Sequence, residues 1–455
     1  MIETIKPLRR LPPKIKIGGD YTWTQIALIL AGLATGPSRI TGFNRGRDTF
    51  RTLDLLDEMG CRVTRDAVEI VIENGDDAEL PECPEFNYDG GVLPLVLIIG
   101  VLIGKNRECT LIYSDAINPD LVDRIVHEVN GYGLDIFHLA DTRRLIIRHS
   151  TELPLEVTCH SIVPYIKQCL LMVGLGGNRT VRLKEMTATD DTLERLIERF
   201  GGRISSEEIK GRWDQDPDDP RKKILVRQAE HKREINLDKG NCLKGIDFEP
   251  PGDYGSFLAI TELAGLKRGP VKILGMLRDN RLMQLSRVMK TLNIDLDLEK
   301  RHLHDGLPVA DVTVTGRRLK GRKISGDMAT GLTAEWPYIA VMLAYGDGNS
   351  LIRDIGELYA WAREPFGEMI RYLETMGVKA GALGDGLIIE GEREIEFERL
   401  GPFDNRDVAL AFYMTALAAP AKTEFEGFEI IRDNFPDLVD SIRDSYDRQL
   451  LSRPG

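Results

Sequence analysis

The sequence predicts an α/β protein of two similar domains, each built from three βαβαββ repeats. Three observations carry that prediction. The first is a duplication. Shifting the numbering by 233 lays Gly252-Asp253-Tyr254, Leu263-Ala264-Gly265-Leu266, Gly269-Pro270, Ile273 and Gly275 on their counterparts between Gly19 and Gly42, with 11 identities over the 25 positions 19–43. Unrelated windows of that length share about one or two. The second is a shorter rhythm, in which an amphipathic helical segment ends at a turn-forming residue and runs into an alternating strand. It occurs at 55–63 around Gly60, at 125–136, at 196–204 around Gly201, at 288–296 around Asn293 and at 369–378 around Gly377. The third is length: 455 residues exceed one core and suit two domains of about 200 residues each.

Taken in order, Lys14-Ile15-Lys16-Ile17 reads as a strand, and Asp20 as the N-cap of a helix that continues through the apolar run 27–34. Gly36-Pro37 stops that helix before the next strand. Asp253 stands in the same place in the second copy. The apolar run 92–103 contains Pro94 and Gly100 and is too short to span a bilayer. Residues 212–221 read as an inserted polar loop. In the tail, 408–419 reads as a buried helix and 437–451 as a more charged one, completing a sixth repeat. Crossings near Gly18-Gly19 and between Gly240 and Gly252 place one lobe at 20–243 and the other at 1–19 plus 244–455.

A net charge of −12 argues against general affinity for nucleic acid or an acidic membrane surface. The basic start, 1–19, lacks the apolar segment of a secretory signal, so the expected location is cytoplasmic. The six cysteines form no CxxC pair and no histidine stands at metal-ligand spacing, so most of them read as small buried hydrophobes, with no metal and no cofactor expected. His302 and His304 read as a solvated charged loop. Nothing in the sequence sets the oligomeric state.

Several motifs together resemble those of the enolpyruvyl transferases, and among them the 5-enolpyruvylshikimate 3-phosphate (EPSP) synthases more than the UDP-N-acetylglucosamine enzymes. They are Gly18 to Ala34, Gly36 to Arg51, Pro251-Gly252-Asp253, Ala334-Glu335-Trp336-Pro337 leading to Gly348 and Ile352-Arg353-Asp354, Asp404-Asn405-Arg406, and Asn434-Phe435-Pro436-Asp437. The resemblance spans nearly the whole chain. It implies two inside-out α/β domains that close on a small-molecule ligand, phosphoenolpyruvate among the candidates, with helix N-termini facing the anions.

Carried over residue by residue, the resemblance implies a stripped anion site. Where the family has lysine, serine and arginine, this chain has Tyr21, Thr22 and Ile26. The next motif keeps Asn87 and Pro94 but has Leu93 in place of arginine, and the following arginine-proline pair falls on Asn118-Pro119. The serine-serine-glutamine set falls on Val163-Pro164-Tyr165, and a later serine and tyrosine on Met186 and Thr189. A lysine-glutamate pair aligns with Trp361 and Ala362, or after a two-residue slip with Arg363 and Glu364. Asp48, Glu335, Asp404 and Arg406 survive. The tail lysine is replaced within Arg432-Asp433-Asn434.

Each charge-assisted bond to a phosphate or carboxylate contributes about 1.5 to 3 kcal/mol, so losing four cations removes roughly 6 to 12 kcal/mol of binding. The expectation is a divergent carboxyvinyl-transferase-like enzyme for a less anionic, aromatic or cyclic acceptor, and an inefficient shikimate-pathway synthase. Glu335 and Glu364 are the candidate catalytic acids or bases. Tyr21, Thr22, Asp48, Asn87, Tyr165, Trp361, Arg363 and Arg406 are the candidate binding residues, with Trp23, Ile26, Leu93 and Tyr254 adding apolar lining. The alternative is a non-catalytic binding or scaffold protein that keeps the fold, with these aromatic side chains as packing.

Overall fold

A computed structural model describes residues 2–74, 84–106, 108–148, 156–209, 212–215, 223–227, 231–361, 363–391 and 395–451. The chain packs as two compact units. The C-terminal unit comprises Met1–Tyr21, Phe43–Gly46 and Glu249–Gly455; the N-terminal unit comprises Thr22–Gly42 and Arg47–Phe248.

Each unit contains three copies of one sheet pattern, in which a strand, a buried helix and a parallel strand are followed by an outer helix and an antiparallel pair. In the N-terminal unit, Glu85–Tyr88 pairs parallel with Cys109–Tyr113, which pairs antiparallel with Arg144–Ile147, and Ile136–Leu139 closes the edge. The sheet around Glu156–Cys159 and Val181–Glu185 repeats the order. The third sheet takes its first strand from Asp247–Phe248, which joins Ser38–Thr41 in parallel. The C-terminal unit shows the reciprocal arrangement, with Lys14–Ile15 joining Pro270–Leu277. Strand Ile2–Ile5 completes its last sheet beside Thr423–Glu426. Two first strands have thus exchanged places relative to chain order, which is how the duplicated segments are stitched together.

The helix-to-strand corners form as the sequence predicts. Gly60, Gly133, Gly201, Asn293 and Gly377 all have positive φ, between 67° and 94°, a conformation that glycine and asparagine tolerate best. The inner helices are buried nearly all round. In the C-terminal unit Tyr254–Lys267, Trp336–Ala344 and Arg406–Ala418 pack against one another. In the N-terminal unit Val92–Gly104 packs on Tyr165–Gly176 so closely that a Cβ at Gly100 would sit 2.5 Å from the Cys169 carbonyl oxygen. That run is therefore a core helix, and Pro94 is accommodated in its first turn. No helix among the described residues is long and apolar enough to cross a membrane.

Three readings change, and the expectation that most cysteines are buried holds among the described residues. Trp23, Ile26 and Leu93 are 4%, 0% and 6% exposed and belong to the N-terminal unit's own core, with Trp23 against Phe248, instead of lining a ligand site. Part of the expected inserted loop is a hairpin, Arg212–Gln215 with Lys223–Arg227; residues 216–221 lie outside the described residues. His302 and His304 stand on strand Ile294–His304, where His304 pairs with Glu249, because the alternating charged residues form a solvent-facing edge strand. Among the described cysteines, Cys242 is exposed and the other four are buried; Cys83 lies outside them.

Candidate functional site

The duplicated Gly-Asp-Tyr motifs meet in the C-terminal unit. Gly19 and Gly252 form an antiparallel bridge, the Asp20 amide donates to the Pro251 carbonyl at 2.8 Å and the Asp253 amide to the Gly18 carbonyl at 2.9 Å. The two carboxylates then cross. Asp253 accepts from the Tyr21 amide at 3.2 Å as well as from its own helix through Ser256, and Asp20 accepts from the Tyr254 amide at 3.0 Å. Asp253 caps its own helix through Ser256, as expected, and each aspartate also accepts from the first amide of the other copy's helix, a cross-link that the sequence does not announce.

This crossed cap sets up two matched stacks. The Arg406 guanidinium lies over the Tyr21 ring at 4.0 Å, and the Arg281 guanidinium over the Tyr254 ring at 3.8 Å. The two arginine side chains are exposed to nearly the same extent, 30% and 32%. A guanidinium on an aromatic face keeps its edge donors directed outward, which suits a carboxylate or phosphate. Burial pushes the Asp253 carboxyl up, against the hydrogen bonds from Ser256 and Tyr21 and the Arg406 charge, which favour ionisation.

Glu335 sits at the start of helix Trp336–Ala344 and is 0% exposed. One oxygen accepts from Arg281 Nε at 2.8 Å and the other from the Thr333 amide at 2.7 Å. Burial opposes its ionisation, but the Arg281 charge and these bonds outweigh it and hold the carboxyl below its usual range. Burial, and then the Glu335 charge, push the Tyr254 phenol well above its ordinary range. Arg406 is placed by its helix start: Asn405 caps helix Arg406–Ala418 by accepting from the Asp407 and Val408 amides, and Glu368 accepts the amides of Asp404 and Asn405 at 2.7 and 3.0 Å. The Asp407 carboxylate lies 3.9 Å from the Arg406 Nε.

Among the sequence-derived candidates, the structure therefore brings Tyr21 and Arg406 into contact, and places Glu335 one arginine away from Tyr254. Trp361 is half-buried at the end of helix Gly356–Trp361, and Glu364 is exposed in the first turn of Arg363–Thr375. Ala362 and the Arg363 side chain lie outside the described residues. The other four candidates belong to the N-terminal unit. Thr22 and Tyr165 are half-buried at helix starts, Asn87 is exposed on strand Glu85–Tyr88, and Asp48 is in the first turn of Arg47–Glu58. Burial, and then the Asp48 charge, push the phenol of Tyr88, next to Asn87, well above its ordinary range. Asn118 is an N-cap, accepting from the Asp120 amide at 2.8 Å.

Sequence reasoning missed Arg281. It lies 54 positions from Glu335 and outside every quoted motif; the only local signal is Asp279, which caps helix Asn280–Thr291. Among the described residues no group of three or more histidines, cysteines or acids is placed to hold a metal.

A family model described as EPSP synthase (3-phosphoshikimate 1-carboxyvinyltransferase) matches residues 5–228 and 221–442. A 3-phosphoshikimate 1-carboxyvinyltransferase of Synechococcus sp. is 25% identical over 450 residues, covering 97% of this chain and 96% of the relative. One from Coxiella burnetii is 23% identical over 442 residues, covering 95% and 94%. Among solved structures, an EPSP synthase from Acinetobacter baumannii superimposes with a TM-score of 0.74 at 19% identity, over 97% of each chain. The enolpyruvyl transferase NikO from Streptomyces tendae does so with a TM-score of 0.68 at 16% identity, over 98% of this chain and 97% of its own. At such identities the solved structures speak for the fold.

Proposed function

Because the chain belongs to the EPSP synthase family of enolpyruvyl transferases, we propose that it transfers a carboxyvinyl group, or carries out a related addition and elimination, on a small cyclic acceptor less anionic than shikimate 3-phosphate. The observation that carries this reading is the pair of arginine-on-tyrosine stacks, Arg406 on Tyr21 and Arg281 on Tyr254. Tyr21 stands where the resemblance implies a lysine, so a point charge has been replaced by a flat surface with a guanidinium above it. Two such guanidinium groups grip one carboxylate or phosphate well; they do not replace four lost cations, each contributing about 1.5 to 3 kcal/mol.

In this reading Arg406 and Arg281 hold the anionic group, with phosphoenolpyruvate the natural donor. Glu335, kept ionised by Arg281, stabilises positive charge that develops on the donor carbon and accepts a proton on elimination. Glu364 delivers the proton that addition requires, and Arg363 offers a further cation to the anionic donor. Thr22, Asp48, Asn87 and Tyr165 offer hydrogen bonds to acceptor hydroxyls, and Trp361 gives an apolar wall.

The test is phosphate release from phosphoenolpyruvate with a panel of acceptors: shikimate 3-phosphate, shikimate, nucleosides and hydroxylated aromatic acids. Release is expected with a neutral or singly charged cyclic acceptor, and Arg406→Ala abolishes it. Turnover of shikimate 3-phosphate at ordinary enzyme rates sinks the reduced-anion reading. A second reading, a binding protein that keeps the fold without the chemistry, is favoured by the complete burial of Glu335. It predicts no release with any acceptor, together with stabilisation of the protein by a bound ligand.

A further inference from the structure

Away from the paired stacks, the C-terminal unit carries a cavity of about 650 Å³, open to solvent. That volume falls within the range of small-molecule sites, about 300 to 1,000 Å³. It lies where the segment leading into strand Lys14–Ile15 borders the start of Pro270–Leu277: Lys14 and Ile15 pair with Lys272 and Ile273, the Lys272 amide donates to the Pro13 carbonyl at 3.1 Å, and Arg9, Arg10, Leu11 and Pro13 form one wall. The apolar surface comes from Leu11 and Pro13, with Val271 buried behind them.

The rim is basic: Arg9, Arg10, Lys267 and Lys272 line it against a single acid, Glu299. Lys272 is already paired with Glu299 and its pKa is raised by that hydrogen bond. Lys267 differs. It is half-buried at the end of helix Tyr254–Lys267, has no ion-pair partner among the described residues, and burial lowers its pKa with nothing to offset it. A desolvated ammonium without a counter-ion, in a chain of net charge −12, is a place where an anion gains more than it does at a hydrated surface lysine.

We propose that this cavity is a second ligand site, which takes a small organic anion: a phosphate or carboxylate head between Arg9 and Lys267, and an apolar body on Leu11 and Pro13. The site is independent of the carboxyvinyl-transfer reading, because none of its lining residues belongs to the paired stacks.

Isothermal titration of the full-length protein with phenyl phosphate, benzoate and inorganic phosphate tests it. Phenyl phosphate or benzoate is expected to bind at least tenfold more tightly than inorganic phosphate, and whichever of the two binds better identifies the head group. Lys267→Glu is expected to weaken that binding at least tenfold and Lys267→Arg to retain it, with both variants melting within a degree or two of the parent. Arg406→Ala leaves it unchanged. Binding that survives Lys267→Glu but is lost in Arg406→Ala overturns the proposal by placing the anion at the stacks, and so does no binding, or equal binding of all three probes.

Discussion

Two clusters in this protein are made from the same ingredients, basic side chains against buried glutamates, and differ in whether they are sealed. In the N-terminal unit Lys167 is 0% exposed, donates to Glu194 at 2.9 Å and to the Asp190 carbonyl at 2.6 Å, and lies 3.3 Å from Glu185. Arg233 closes the cluster by donating to the Thr189 carbonyl at 2.8 Å. Burial works against the Lys167 charge, yet the two glutamates outweigh it and raise its pKa. In the C-terminal unit Glu335 is equally buried, but its cation, Arg281, stacks on a tyrosine and stays one-third exposed. The sealed cluster has no room for a ligand and ties down the segment that carries Met186 and Thr189. The open one spends one edge of its guanidinium on structure and leaves the group at the surface.

Breaking the sealed cluster is expected to have the largest effect. Lys167→Met leaves two buried carboxylates with the more distant Arg233, 3.5 Å from Glu185 and 4.0 Å from Glu194, and is expected to cost about 3 to 5 kcal/mol, read as a drop in the urea midpoint. A loss below about 1 kcal/mol would show that the cluster relaxes and that the sealed description is wrong.

The open cluster is expected to respond less, and with a pH signature. Arg281→Met strands Glu335 and is expected to cost about 2 to 4 kcal/mol at pH 7. The Glu335 carboxyl is depressed from its ordinary 4.5, so its stabilising contribution is present above that pH and is lost as pH falls through the folded-state value. The gap between parent and variant therefore narrows below pH 4.5, which denaturation curves carried from pH 7 down to about pH 2 will reveal. Arg406→Met removes a stack and a charge that favours ionisation of the buried Asp253, which keeps its bonds from Ser256 and Tyr21, and is expected to cost about 1 to 2 kcal/mol. Equal losses for the two arginines would erase the distinction between a cation that clamps a buried glutamate directly and one that does not.

The smallest expected effect sharpens the contrast from the opposite side. Glu262 is fully buried in helix Tyr254–Lys267 and accepts from the Thr415 hydroxyl at 3.3 Å, with no salt bridge found among the described residues. Burial pushes its carboxyl well above 4.5. For an acid raised in this direction the folded state holds its proton, so stability falls as pH rises from about 4.5 toward the folded-state value. Glu262→Gln is expected to flatten that slope; an unchanged pH profile would mean that the carboxyl is not neutral in the core.

Much of the fold was legible because its signals are local. Gly60, Gly201 and Asn293 mark their corners through backbone sterics that only a few residues determine, and the repeat of Gly-Asp-Tyr announces the duplication without any knowledge of contacts. The site was legible only in part. Arg406 and Glu335 could be singled out, but Trp23 and Ile26 read as lining when they are core. A helix buried all round carries no amphipathic stripe to say which end is wet.

Composition and turn chemistry alone therefore settled the six-fold rhythm, the buried inner helices and the corners between helix and strand. Tertiary structure decided that Asp20 and Asp253 reach across to each other's helices, that Arg281 covers Tyr254, and that Glu335 is clamped. The reason is range. A positive-φ corner is an energy of neighbouring residues, whereas a carboxylate meeting an amide 232 or more positions away depends on which strands have exchanged places, and no stretch of the chain states that by itself.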